Sequence, residues 1–190
     1  MSPVGMGSLP EEVIREILDY TLARPLEAFF TAHKDSAVRE MHAATSGQAK
    51  VLLVCKIWRR IGTPLLYASL CLGSPEQTQT VARVLDGNPR LGQAIRHLRL
   101  DGGLGPDLTS VVRLASKVKS LYINTAIAAE ESIGGLRRAL SLLNPDTLFI
   151  YSPRTRNHNV KQTQVDALLE AMIRQRSSIV SRTDPQIHRS

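Results

Sequence analysis

Aromatic residues, cysteines and long apolar runs are all scarce in this sequence of 190 residues. Phe, Trp and Tyr together make up 4% of the chain, too few to interleave with basic clusters as single-strand nucleic-acid binding requires. Cys55 and Cys71 have no metal or redox spacing, so we expect two buried thiols in a reducing compartment. No run approaches the roughly 18 apolar residues of a membrane span, and the first residues do not resemble a secretory leader. We therefore expect a cytoplasmic or nuclear protein with no membrane partner.

The motifs that carry enzyme or metal chemistry are missing too. The five histidines form no i, i+4 pair and have no neighbouring cysteine, so we expect no metal site. His97, Asp101 and Ser110 have the residue types of a hydrolase triad, but no Gly-x-Ser-x-Gly elbow presents the serine. We expect no catalytic residue, no cofactor and no enzyme activity.

The charge is unevenly distributed. Lys and Arg outnumber Asp and Glu by 24 to 17, and the formal net charge is +7. Residues 1–50 are net acidic, whereas residues 151–190 are net basic. Five of the basic residues in this C-terminal part could in principle contact phosphates: Arg154, Arg156, Lys161, Arg174 and Arg176. Charge runs usually face water, so this pattern favours a solvated basic face, and we do not expect a nucleic-acid partner.

The first clear element is an N-terminal helix. Ser8 and Glu11 have the spacing of a capping box, and Pro10 lies where a missing N–H is harmless. Apolar residues then recur at helical spacing from Val13 to Leu22. We predict a helix that ends near Ala23 and must bury this apolar stripe.

A second amphipathic stretch starts at residue 51. Its shared helical face is formed by Val51, Val54, Cys55, Trp58 and Ile61. Gly62 and Pro64 predict the end of this helix. We interpret residues 24–49, between the two patterns, as an inserted, partly helical loop.

Together these stretches resemble the two halves of an F-box. The matching residues are Leu9-Pro10-Glu11-Glu12-Val13-Ile14 with Ile17-Leu18, and Leu52-Leu53-Val54-Cys55-Lys56-Ile57-Trp58-Arg59. The resemblance implies a small helical module over residues 8–63, interrupted at 24–49. It also implies binding to a Skp-family adaptor and, through it, to a cullin. The adaptor-binding or supporting residues it implies are Leu9, Pro10, Ile14, Ile17, Leu18, Val54, Cys55, Lys56 and Trp58.

The remainder of the chain repeats a short pattern. Apolar-x-apolar triplets begin at Leu70, Leu98, Leu121 and Leu148, and helical patterns fill the gaps. Strand and helix alternating at this period predict a solenoid and resemble an irregular leucine-rich repeat over residues 64–176. We expect a fold of α+β or α/β solenoid class, with a flexible tail at 177–190.

Strand alternation separates two sets of side chains. If the first and third residue of each triplet face the core, the alternating residues form a second row that faces outward and is exposed. That row comprises Arg99, Asp101, Tyr122, Asn124, Phe149 and Tyr151. An aromatic row flanked by arginine has the composition of an interaction hot spot, so we expect it to bind the substrate protein.

The favoured function is therefore that of a substrate-recognition subunit of an SCF-type cullin ubiquitin ligase, acting on an unidentified protein. One alternative is a basic repeat scaffold that binds nucleic acid or an acidic protein. A less favoured alternative is a nucleotide-dependent α/β enzyme using the glycine-rich stretch Asp101–Pro106. Leu108 stands where the third glycine of a dinucleotide loop would be, and no Gly-Lys-Ser/Thr occurs.

Overall fold

The N-terminal part of the chain forms a helical module. The structure, a computed structural model, describes residues 9–22, 29–30, 47–102, 104–127, 131–152, 160–175 and 180–183. Helix α1 spans Glu11–Leu22, a 3₁₀ helix spans Lys50–Leu53, and helix α2 spans Lys56–Tyr67. Glu11 and Glu12 lie in the first turn of α1, where negative charge is favourable. The predicted N-terminal helix is confirmed; Ser8 lies outside the described residues.

The helical module has its own small core, in which α2 packs against α1 and against the 3₁₀ helix. Its buried residues are Ile14, Leu18, Leu22, Leu52 and Ile61. The helices approach closely at Gly62, because a Cβ there would collide with the Leu52 side chain and crowd Leu18 and Leu22. Gly62 therefore serves close packing within α2.

Two predictions about this module were wrong. The face from Val51 to Ile61 is not one helix, because Cys55 is extended (φ −161°, ψ 172°) and separates the 3₁₀ helix from α2. Gly62 and Pro64 do not end α2, which continues to Tyr67. Pro64 costs the helix one hydrogen bond. The continued helix packs Leu65 and Leu66 against the module core, and this packing offsets that cost.

Strands and helices alternate through the remainder of the chain. The elements, in order, are β1 Ser69–Leu72, α3 Pro75–Gly87, α4 Pro89–Gly92, β2 His97–Leu100, α5 Asp107–Leu114, β3 Ser120–Asn124, α6 Gly134–Leu142, β4 Thr147–Tyr151, α7 Val160–Gln175 and β5 Val180–Thr183. Ser74 caps α3 by accepting the N–H of Gln77 at 3.2 Å, and Pro75 follows at the first helical position. Both features favour a helix start at this point.

The five strands form one sheet in the order β1-β2-β3-β4-β5, with every neighbouring pair parallel. The leucines that begin the four triplets lie side by side in the sheet: Leu70, Leu98, Leu121 and Leu148. Each triplet therefore forms a strand, as predicted. Strand β5 lies inside the predicted tail and pairs with β4, so the expectation of a flexible tail was wrong for residues 180–183. The fold is thus a mixture of helices with a parallel sheet.

One face of the sheet is covered by helices. The buried core there combines Leu72, Leu98, Leu100, Leu121, Ile123 and Leu148 of the strands with apolar residues of α3 to α7. The opposite face packs Cys71 and Tyr122 against Phe29 and Phe30, two helical residues from the predicted insertion. Within the described parts of the chain, no helix has the length and apolar character needed to cross a membrane.

Candidate functional site

Helix α1 carries an apolar stripe on its solvent side in addition to the buried one. Val13, Ile17 and Tyr20 follow one another at helical spacing on this side, and Leu9 precedes the helix. All four are exposed, and Tyr20 is 92% accessible. An amphipathic helix ordinarily presents polar residues to water, so this second stripe has no role in the module's own core.

More exposed apolar residues lie at the junction between the 3₁₀ helix and α2. Leu53, Val54 and Ile57 are exposed here because the extended Cys55 interrupts the helical run. With the stripe on α1 they form what we term the exposed apolar set: Leu9, Val13, Ile17, Tyr20, Leu53, Val54 and Ile57. Concentrations of exposed apolar side chains mark interaction sites.

The structure divides the residues implied by the F-box resemblance into two groups. Ile14 and Leu18 are core residues of the module, and half-buried Trp58 packs against that core. The other six are exposed: Leu9, Pro10, Ile17, Val54, Cys55 and Lys56. The expectation of two buried thiols was wrong for Cys55, which is exposed, and right for Cys71, which is buried.

The exposure of four apolar residues was not predicted from the sequence: Val13, Tyr20, Leu53 and Ile57. Val13 and Ile17 are one helical turn apart and lie beside the buried Ile14 and Leu18, a pattern that could have indicated two stripes. Leu53 and Ile57 depend on the break at Cys55, which has no side-chain capping hydrogen bond. No sequence signal for that break was present.

The second candidate surface is the sheet face opposite the helices. Here Arg99 forms a two-point ion pair with Asp101, with Nε 2.6 Å from Oδ2 and Nη2 3.0 Å from Oδ1. The remaining guanidinium nitrogen, Nη1, donates to the backbone carbonyl of Phe29 at 2.6 Å. Arg99 thus fixes a residue that is 70 positions away in the chain.

Aromatic rings complete this contact. The ring of Phe30 stacks on Phe149, with centroids 4.3 Å apart and planes inclined by 9°. The Phe29 ring meets Phe30 edge-on at 5.0 Å, and the Arg99 guanidinium lies over the Tyr122 ring at 4.1 Å. Stacking, edge-on and cation–π contacts all favour this arrangement beyond simple burial. We term this assembly the aromatic site: Phe29, Phe30, Cys71, Arg99, Asp101, Tyr122 and Phe149.

Charge in the aromatic site is controlled by its surroundings. Burial opposes the charge of Arg99, but hydrogen bonding and attraction to Asp101 outweigh this and raise the pKa of Arg99. Burial, followed by repulsion from Arg96 and Lys119, lowers the pKa of His97 at the start of β2. His97 meets Phe30 edge-on at 6.1 Å, and its Nδ1 has no hydrogen-bond partner among the described residues. Arg99 is therefore charged while buried, and His97 tends to stay neutral.

The predicted substrate-binding row lies on the predicted face of the sheet, but its exposure was predicted wrongly for two members. Arg99 is 0% and Tyr122 is 1% exposed, because Phe29 and Phe30 lie over them. The remaining members are half-buried: Asp101, Asn124, Phe149 and Tyr151. Asn124 Oδ1 accepts the N–H of Ala126 at 2.9 Å and so helps to form the turn after β3.

The described residues of the glycine-rich stretch after β2, which exclude Gly103, form a packed turn. Glu131 Oε1 accepts the N–H of Leu104 at 3.3 Å. In a nucleotide-binding loop a phosphate oxygen would accept such a backbone N–H, and here a carboxylate does so. The Gly105 carbonyl occupies the position that a Cβ on Gly135 would take. The neighbouring turns therefore pack backbone against backbone.

The other chemical candidates are dispersed. His97 and Asp101 flank the ends of β2, about 13 Å apart along an extended strand, and Asp101 is paired with Arg99. Lys161 donates to the Glu131 carbonyl at 2.6 Å, and Arg174 pairs with Glu170. Arg154, Arg156 and Arg176 lie outside the described residues. Among the described residues, no group of His, Cys, Asp and Glu could hold a metal ion.

A groove between α3 and α5 was not anticipated from the sequence. It has a volume of about 340 Å³ and is lined by Ala82, Arg83, Asp86, Ser110, Arg113 and Leu114. The groove's charged residues are Arg83, Arg113 and Asp86, so positive charge exceeds negative charge by one. Guanidinium groups are suited to binding carboxylates.

Comparisons with protein-family models, with curated proteins and with solved structures found no match to this chain.

Proposed function

We propose that this chain is a substrate-recognition subunit of an SCF-type cullin ubiquitin ligase in the cytoplasm or nucleus. The helical module binds a Skp-family adaptor, and the strand–helix region binds the protein to be ubiquitinated. The chain performs no chemistry of its own. It holds a substrate lysine near the charged ubiquitin-conjugating enzyme and so raises the local concentration of the reacting groups.

The observation that carries the proposal is the exposed apolar set. A module with a small core gains stability from each buried apolar side chain, about 1.5 to 3 kcal/mol for a fully buried Leu or Ile. Leu9, Ile17 and Val54 are 52%, 38% and 62% exposed, so the module forgoes part of this gain at each of them. Burial beneath a partner helix would recover it, and these residues lie in the two stretches that resemble an F-box.

The topology supports the second half of the proposal. Strands that follow one another in both sequence and space, with helices along one face, resemble a short solenoid of stacked units. The order contains no reversal among the described strands, so it lacks the switch-point crevice in which open α/β enzymes bind nucleotides. This favours a binding scaffold over the nucleotide-dependent alternative.

The test uses the two exposed residues at the start of the module. We expect Leu9→Ala with Pro10→Ala to abolish pull-down of a purified Skp-family adaptor, with an unchanged circular dichroism spectrum. A matched control is Leu142→Ala with Pro89→Ala, since both residues are exposed in the strand–helix region. Adaptor binding retained by the Leu9/Pro10 variant would exclude the assignment.

The groove between α3 and α5 favours one further role, binding of an acidic protein segment. Arg83 and Arg113 form no ion pair with any other described residue, so their charges are available to a ligand. Binding of a polyglutamate peptide that weakens with salt and is lost in Arg83→Ala with Arg113→Ala would support this role. Binding unaffected by the two substitutions would exclude the groove.

A further inference from the structure

The aromatic site has the features of a receptor that is already occupied. Arg99, Tyr122 and Phe149 come from three adjacent strands, whereas the two residues that fill the site come from the insertion near residue 30. Receptor and occupant are far apart in the chain, and their contacts include side-chain rings and the backbone carbonyl of Phe29. Other peptides could present the same groups.

The occupant defines which groups the receptor recognises. Arg99 Nη1 takes a main-chain carbonyl, a group that every peptide carries. The Phe149 ring stacks on the ring of Phe30, and the ring of Phe29 packs edge-on against Phe30. The receptor thus recognises two consecutive aromatic residues in a helical turn, with the carbonyl of the first residue directed at a guanidinium.

We propose that the aromatic site is the substrate-docking site of this protein and that Phe29-Phe30 occupies it as an internal substitute for a Phe-Phe segment of the substrate. The substrate role rests on the proposed function, whereas the binding site itself does not. Half-buried Phe149 and Tyr151 leave an aromatic rim beside the occupant, from which an incoming segment can begin to displace it. Phe29 and Phe30 then act as an autoinhibitory pair.

Self-occupancy predicts weak binding of free peptides to the wild-type chain. A tethered occupant competes at an effective concentration of about millimolar order. The apparent dissociation constant of a free peptide therefore equals the intrinsic constant divided by the unoccupied fraction of the site, and it rises as that fraction falls. Removing the two internal rings should strengthen binding of the free peptide.

The experiment measures fluorescence anisotropy with a labelled peptide that copies residues 24–35, RPLEAFFTAHKD. The proteins are the full wild-type chain and its Phe29→Ala/Phe30→Ala variant. We expect the variant to bind the peptide at least about tenfold more tightly than wild type, since the internal competitor is gone. A peptide with both Phe residues replaced by Ala should bind neither protein, and Val84→Ala/Leu142→Ala should behave as wild type.

Equal binding by the two proteins, or no binding by a folded double variant, would overturn the proposal. If the double variant fails to fold, Phe30→Leu decides, because it keeps an apolar side chain and removes the stacked ring. Tighter peptide binding by Phe30→Leu than by wild type supports the proposal, and unchanged or absent binding overturns it. Adaptor binding is measured on the same preparations. If the wild-type chain does not bind the adaptor, the ligase assignment alone is refuted. If the folded variant does not bind the peptide, the docking site alone is refuted.

Discussion

The helical module and the strand–helix region differ in how many of their large apolar side chains are exposed. The module, from Leu9 to Tyr67, buries a small core and leaves seven large apolar side chains exposed among its described residues. In the larger strand–helix region, from Ser69 to Thr183, most of the described large apolar residues are buried or partly buried, and Arg99 is buried as well. Its exposed large apolar residues among those described are Val84, Leu142 and Val160, each on a different helix. This difference is the basis for the proposal that a partner covers the exposed apolar set.

The largest expected effect compares one leucine from each region. Leu121 is fully buried in the central strand, whereas Leu53 is exposed beside α2. Leu121→Ala should cost about 2 to 5 kcal/mol of the free energy of unfolding, because it leaves a cavity in the sheet core. Leu53→Ala should change it by less than about 0.5 kcal/mol. Urea denaturation measures both, and equal losses would remove the contrast between the regions.

The next effect tests how tightly neighbouring turns of the strand–helix region pack. Gly135→Ala should cost about 1 to 3 kcal/mol, because its new methyl group meets the Gly105 carbonyl and forces a backbone shift. Gly134→Ala is the matched control, since the nearest atom to a Cβ there is Ser132 Oγ at 3.8 Å. That neighbour should be neutral or stabilising, by up to about 1 kcal/mol. A Gly135→Ala protein as stable as its Gly134→Ala counterpart would show that the turns are loosely packed.

The smallest effect on stability is a pH dependence due to His97, which lies beside the aromatic site and meets Phe30 edge-on. The pKa of His97 is lowered in the folded chain, so the unfolded chain binds a proton more readily. The stabilising contribution of neutral His97 is therefore complete above the ordinary histidine pKa, about 6.5, and is lost as the pH falls below it. His97→Gln should reduce the loss of stability between pH 7.5 and pH 5, measured by urea denaturation at each pH. An unchanged pH dependence would place His97 in contact with water.

The repeated pattern was the most predictable part of the fold. The triplets beginning at Leu70, Leu98, Leu121 and Leu148 became four neighbouring strands, because one apolar face repeated at a nearly constant period admits few registers. The stripe Ile14, Leu18 and Leu22 likewise fixed the buried side of α1. Local periodicity sufficed wherever each element buries one face against its neighbour.

Long-range contacts could not be predicted in this way. Nothing in the sequence around Arg99 indicates that Phe29, 70 residues earlier, covers it. The expected open row was therefore wrong at Arg99 and Tyr122, although the alternation that defined the row was right. The break at Cys55 and the continuation of α2 through Pro64 were missed for a related reason, since tertiary packing outweighed the local signals of both residues.

The central claim is that the exposed apolar set binds an adaptor, and a matched pair of triple variants tests it most directly. Leu9, Ile17 and Val54 are 52%, 38% and 62% exposed; Leu142, Val84 and Val160, at 53%, 39% and 74%, provide a control from the strand–helix region. All six residues are replaced by serine, three in each variant. Affinity for a purified Skp-family adaptor is then measured by calorimetry. We predict that the Leu9/Ile17/Val54 variant loses about 100-fold or more in affinity, as for three interface anchors, while the control stays within about twofold of wild type. Equal affinity of the two variants would contradict the claim.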